Sequence, residues 1–383
     1  MANKLKIEIF LSLLKLGLWE DLNSQPDNQK FAYYSVNESD FNEIYNLAEE
    51  QSVLGIITAG IDNLKDIKIP QVISLQFIGA TVQIEQRNKE MDKALSKLQN
   101  KMMKAGIYSV LVKGQGIAQC YSRPLWRSSG DIDLLLNLDN YKKAKNFFGE
   151  IASRIDDEDS YSLHQSYSVN DWEIELHGSL RNRLGKRVDK GIDNIQDEVF
   201  KYGEVRIWNN NGTDIFLPSP THDVVFVFTH LIGHFFKGGI GLRQVSDWCR
   251  LLWTYRDSID RRKLKNLLIR MGLMTEWKAF GSLVVEFMGM PMEAMPFYSS
   301  TNNNHRKAKS ILSFMLETGN MGHNRDVTYF SKYPILVTKI ISLWRHTKDA
   351  LKLFLIFPKD AIRVWFLVVI RGVDVVLNKK IKS

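Results

Sequence analysis

Residues 127–136, Arg-Ser-Ser-Gly-Asp-Ile-Asp-Leu-Leu-Leu, constrain the fold more than any other stretch of the chain. Asp131 and Asp133 lie two apart and run directly into an apolar segment with the composition of a buried strand. Alternate side chains leave a strand by the same face, so these carboxylates project together, roughly 6–7 Å apart along the backbone. Two oxygen-rich acids at that spacing suit one hard cation or a pair of them, as metal-assisted phosphoryl chemistry requires. A bare Asp-x-Asp is more often an acidic turn entering a strand. Its surroundings therefore decide.

Upstream, Tyr108-Ser-Val-Leu-Val-Lys-Gly114-Gln-Gly116 is a short apolar run closed by two glycines. It predicts a strand over 107–112, a tight turn, and a helix over about 115–122. Backbone amides at Gly114, Gln115 and Gly116 can approach a phosphate there, and Lys113 adds a point charge. Downstream, Trp172-Glu-Ile-Glu-Leu-His177 alternates strictly, with Trp172, Ile174 and Leu176 on one face and Glu173, Glu175 and His177 on the other. Glu175 on a neighbouring strand would complete a three-carboxylate cage.

The chain's 383 residues suffice for two or three domains and a large core. Cys120 and Cys249 are the only cysteines, too few for a disulfide framework and without metal-ligand spacing, which fits a reducing cytoplasm. Met1 to Glu8 alternates charge with apolar residues and predicts no signal peptide. No run of 18 uncharged apolar residues predicts a transmembrane helix. Charge is distributed unevenly. Residues 332–383 hold eleven Lys and Arg against three Asp, a net of +8 that equals the net of the whole chain. The first 331 residues are thus formally neutral, which argues against extensive nucleic-acid binding across the centre of the chain.

The fold expected is α+β: a small mixed sheet flanked by N- and C-terminal helical regions. Residues 1–105 form a helical region, with a helix from Met1 to Leu16 stopped by Gly17 and a new segment beginning at Leu18 and Trp19. Further helices are expected at Phe41–Ser52, Leu54–Asp62 and Val72–Lys104. Residues 106–217 form the α/β core, with strands at 107–112, 131–136 and 171–177 and a helix over 139–150. A hairpin of 204–208 with 214–217 closes around Asn209-Asn-Asn-Gly212. Residues 218–331 form a helical domain over the cleft, its first helix over 220–237 with Ser219 or Thr221 as N-cap. Residues 332–383 form a basic, apolar helical tail.

His230 and His234, four apart on the 220–237 helix, share a face. They lack the Glu of a zinc-protease pattern, since position 231 is Leu, and such a pair is more often packed or hydrogen-bonded than a zinc site. Arg243 and Asp247 also share a face; either they pair within their helix or Arg243 reaches nucleotide phosphates or orients a carboxylate. Arg127 either binds phosphate or caps its turn. His177 is a proton acceptor or a hydrogen-bonding partner beside Glu175. Phe357–Asn378 is an apolar helix with a narrow polar stripe; packing on its own domain is favoured, and its Trp365 and basic end suit a membrane surface as the alternative.

Leu111-Val-Lys-Gly114, Tyr121, Arg127, Gly130-Asp-Ile-Asp-Leu-Leu135, Ile174-Glu-Leu-His177, His230, His234 and Leu242-Arg-x-x-x-Asp247 together resemble a bacterial nucleotidyltransferase family of mostly uncharacterised members. That family lies within the polymerase-beta-like superfamily, and the likeness spans about residues 70–290. The chain departs from the superfamily in having Gln115 after Gly114, where Gly or Ser is usual, and Glu175 where Asp is commoner. The resemblance implies Mg²⁺- or Mn²⁺-dependent transfer of a nucleoside monophosphate from an NTP, ATP by default, to an acceptor, with release of pyrophosphate. Asp131, Asp133 and Glu175 would be catalytic and hold metal. Lys113, Gly114, Gln115, Gly116, Arg127 and Arg243 would meet the nucleotide; His177, His230, His234 and Asp247 would line or support the cleft. Sugar, small-molecule, peptide, protein and RNA acceptors all stay open. The competing expectation is a non-catalytic nucleotide-binding or interaction protein, cytoplasmic or peripheral to a membrane, held there or on a partner by its basic tail. Three carboxylates aimed at one point favour the enzyme, because they repel unless a cation lies between them.

Overall fold

The computed structural model describes residues 2–20, 22, 38–64, 69–322, 324–325 and 332–380. At its centre is a five-stranded mixed sheet in the order β1-β2-β5-β4-β3. Its strands are β1 (Val110–Val112), β2 (Ile132–Leu135), β3 (Arg154–Ile155), β4 (His164–Val169) and β5 (Trp172–His177). β2 and β5 run parallel, with Asp133 opposite Glu175 and Leu135 opposite His177; the other pairs are antiparallel. Period-2 alternation divides the faces. Leu111, Ile132, Leu134, Tyr167, Ile174 and Leu176 point into a core shared with Met91, Leu95, Leu98 and Met102 of the long helix Gln71–Lys104 (α4) and with Tyr141 and Phe148 of Leu138–Ile151. The opposite face carries Asp133, Glu175 and His177.

α1 (Ala2–Leu18), α2 (Glu38–Glu50) and α3 (Leu54–Asp62) precede α4. The chain then runs through α5 (Gly114–Ala118), α6 (Leu138–Ile151), α7 (Lys186–Tyr202), α8 (Pro220–Lys237), α9 (Leu242–Thr254), α10 (Arg261–Met271), α11 (Met274–Ser282) and α12 (Asn302–Thr318). α13 (Ile335–Phe354) and α14 (Pro358–Lys380) form a terminal hairpin. α1, α3, α8, α9 and α12 and the Val110, Val112 and Leu135 side chains share one continuous core. The helices before the sheet and those after it therefore stabilise each other.

Several expectations need correction. Gly17 does not stop α1, which continues through Leu18. A Cβ at Gly17 would lie 1.8 Å from the Ile56 carbonyl oxygen, and one at Gly60 would lie 2.0 Å from that of Leu13. These glycines let α1 and α3 cross in backbone contact. The helix after the glycine turn ends at Ala118, short of the expected residue 122. The hairpin of Val205–Asn210 with Thr213–Pro218 (β6 and β7) forms its own two-stranded sheet, lying beside β1. Strands β3 and β4 and helix α7 went unanticipated. At α8, Ser219 is the N-cap residue and Pro220 occupies the first turn, but the cap makes no side-chain hydrogen bond. The terminal hairpin both packs and exposes itself: Phe357, Ala361 and Val364 are buried, with Phe357 against Phe235 and Phe236 of α8, while Phe366 is exposed. Trp365 is half-buried and donates to Thr347 at 2.9 Å.

Candidate active site

The parallel pairing of β2 with β5 sets Asp133 beside Glu175, and Asp131 immediately precedes β2. One oxygen from each of Asp131, Asp133 and Glu175 lies within 4.8 Å of the others. Asp133 is almost wholly buried; its Oδ1 accepts from Lys113 Nζ at 2.6 Å and lies 2.8 Å from His177 Nε2. Glu175 Oε2 lies 3.1 Å from His164 Nε2 and 3.4 Å from His177 Nε2. His164 faces the site because β4 pairs it directly with His177, and the two rings lie 4.8 Å apart. These groups line a cavity of about 390 Å³ together with His230 and His234 of α8 and Arg243, Gln244 and Asp247 of α9.

The electrostatics are those of crowded acids with cations close by. The charge of Asp133, then burial, pushes Asp131 up to about 6. Burial raises Glu175, yet hydrogen bonds from His164 and His177 and the Lys113 charge outweigh it and hold this carboxyl below the ordinary range. For His177 burial favours the neutral ring, but bonding to Asp133 and Glu175 wins and raises its pKa. Lys113 is likewise raised, burial being outweighed by the charges of Asp133, Glu175 and Asp131. His230 is driven well below its usual value and His234 to about 4, by burial first and then the Lys113 charge. Two neutral imidazoles thus face a charged floor. The donor set fits a hard divalent cation: all oxygen, convergent, and mutually repulsive enough to raise Asp131.

Lys113 and Gly114 line the cavity. Lys113 has φ +61°, a backbone state that costs a non-glycine residue about 1–3 kcal/mol and recurs at functional sites. Gln115 is buried and gives its side-chain amide to Asp92 at 2.7 Å, and a Cβ on Gly116 would meet Leu217 at 2.5 Å. Both residues pack beneath the turn, and neither lines the cavity. Arg127 grips Asp247 with two bonds of 2.7 Å, and Tyr121 donates to the same carboxylate at 2.8 Å. Asp247 pairs across 120 residues with Arg127 rather than within its helix with Arg243. Among the described residues the Arg243 side chain keeps one hydrogen bond, Nη1 to the Ser128 carbonyl at 3.1 Å, and its buried Nε has no partner. Burial, then the neighbouring Arg127 charge, lowers its pKa. The His230 and His234 rings lie 4.4 Å apart, tilted by 58°, but join no metal-capable cluster among the described residues.

His164 is the site residue that sequence reasoning missed. Only Tyr167 and Val169 give its strand an apolar period, a faint signal. The Asn170-Asp171 turn that joins β4 to β5, with Asn170 at φ +53°, was the stronger clue.

No curated protein matches the chain. Among solved structures it is similar to an antigenic nucleotidyltransferase-like protein from Paracoccidioides brasiliensis, at 14% identity over 55% of this chain and 95% of that one. The TM-score of 0.34 is too low to rest a conclusion on. The family comparison does carry one, because the family described as uncharacterised nucleotidyltransferase matches residues 37–289. That span holds the sheet, the acidic cluster and the helices that line the cavity, and by it the chain belongs to the uncharacterised nucleotidyltransferase family.

Proposed function

We propose that the cavity transfers a nucleoside monophosphate from an NTP to an acceptor hydroxyl, with Mg²⁺ or Mn²⁺ as cofactor. The observation that carries this reading is the convergence of Asp131, Asp133 and Glu175 on the floor of a 390 Å³ cavity. These three carboxylates would hold the cation, which when bound neutralises charge at the α-phosphate and on the leaving pyrophosphate. The acceptor oxygen bonds to the α-phosphorus as the bond to the β-bridging oxygen breaks, and pyrophosphate leaves with the electron pair. Glu175, kept ionised by His164 and His177, positions the acceptor, whose proton passes to solvent. Lys113 and Gly114 at one wall, and Arg243 with its unpartnered Nε at the other, receive the triphosphate. Arg127 acts through Asp247, anchoring α9 so that Arg243 faces the cavity. Catalysis here is chiefly positioning and electrostatic stabilisation.

Pyrophosphate release measured with each NTP and Mg²⁺ or Mn²⁺, with and without cell extract as acceptor pool, tests the reading. Labelled NTP should transfer label to an acceptor with the wild type and not with Asp133→Asn. If no NTP yields pyrophosphate with any acceptor pool, the transferase reading fails and the non-catalytic nucleotide-binding alternative takes its place.

A further inference from the structure

The terminal hairpin carries a surface that the chemistry above does not use. α13 turns Thr338 and Leu353 inward, and α14 turns Ala361 and Val364 inward. On its outer side α13 exposes Val337, Ile340, Trp344 and Leu351, spaced three, four and seven residues apart as one helical stripe requires. Ile340 is 67% exposed and Trp344 63%. α14 exposes Ile362, Phe366 and Ile370 at intervals of four. At the turn between the helices Leu355 is 84% exposed. Single exposed apolar residues are ordinary; two stripes and an apolar tip on one hairpin are not.

The net charge around this surface is positive, eleven Lys and Arg against three Asp. Residues 332–383 carry the +8 that equals the net charge of the chain. Lys348 lies over the Trp344 ring, 5.4 Å from its centroid, and neither Lys348 nor Lys359 has a carboxylate partner among the described residues. No helix among the described residues is long and apolar enough to cross a membrane. We propose that the α13–α14 hairpin lies on an anionic lipid bilayer, with Ile340, Trp344, Leu355 and Phe366 entering the boundary between headgroups and acyl chains and the lysines on the phosphates. Projecting side chains suit a fluid surface, whereas a protein groove would demand a fixed counter-shape. A second copy would set one +8 segment against another. The proposal stands independently of the reaction assigned to the cavity.

Co-sedimentation of the full chain with phosphatidylglycerol vesicles, and separately with phosphatidylcholine vesicles, tests it. Binding is expected on phosphatidylglycerol at low salt, with a blue shift of tryptophan emission, and should fall away as salt screens the lysines. Leu355→Glu with Ile340→Glu should weaken binding roughly ten-fold or more, as should Lys348→Glu with Lys359→Glu. All four positions are at least partly solvent-facing, and unchanged thermal melting confirms that the variants remain folded. Failure of the wild type to sediment at low salt overturns the proposal, as does equal binding to both lipids or indifference to both variant pairs. A dimer seen by light scattering, dissociated by Leu355→Glu in a protein that ignores vesicles, would assign the surface to a second copy instead.

Discussion

Asp133 concentrates the chemistry of the site into one side chain, since it meets Lys113, His177 and the neighbouring Asp131 at once. Asp133→Asn is expected to lower pyrophosphate release by roughly 10²–10³-fold. It should lower the melting temperature only modestly, because the buried Lys113 and His177 lose a charged partner while Asp131 is relieved of the charge that chiefly pushes it up. Loss of activity accompanied by a collapse of thermal stability would contradict this division of roles. Asp247 is the opposite case. Its carboxylate neutralises a buried guanidinium, so Asp247→Ala should destabilise by about 3–5 kcal/mol in denaturant unfolding. Arg127→Met combined with Asp247→Leu should cost less than that single change. The sequence made the acidic trio legible because strand alternation is a local pattern, needing only residues 131–136 and 172–177. Arg127 with Asp247 was not legible. Nothing local distinguishes a partner 120 residues away from one four residues away, and the shared face of Arg243 and Asp247 pointed to the nearer pair.

At the scale of elements, long amphipathic stretches were the most legible. Val72–Lys104 begins one residue early at Gln71 and ends as expected, because 34 residues without proline leave little else to form. The misplaced α1 terminus shows where such reading fails. Glycine ends helices through its backbone freedom, but Gly17 stays helical and serves the absence of a side chain. Gly17→Ala should therefore destabilise by at least about 1–3 kcal/mol despite Ala's better helix propensity, as read from the denaturation midpoint. Gly79, on the exposed side of α4 with no heavy atom within 4 Å of an added Cβ, is the control. Gly79→Ala should stabilise by up to about 1 kcal/mol. The short strands β3 and β4 escaped notice because two to six residues with few apolar positions carry almost no periodic signal.

Across the whole molecule, the terminal hairpin is tied to the body partly through Glu276 of α11, buried and close to Asp360 of α14. Burial, then the Asp360 charge, raises Glu276 to about 8 from an ordinary 4.5. The folded chain holds this proton more tightly than the unfolded chain does. Its stabilising contribution is thus complete below about 4.5 and lost as pH rises through about 8. Glu276→Gln should flatten the fall of melting temperature across that window; an unchanged slope would show that the carboxyl does not report on the junction. The shared core has a consequence for how the protein is made. Trp19 donates to the Met288 carbonyl at 2.6 Å, and Gln51 bonds the Leu242 amide and the Met315 carbonyl. A ribosome adding about 5–20 residues per second needs on the order of tens of seconds to travel from Trp19 to its partner. For most of that interval α1 and α3 have been made while α9 and α12 have not. The nascent chain therefore presents chaperones with a sticky N-terminal segment, and its packing against the later helices is completed only after synthesis has passed residue 315.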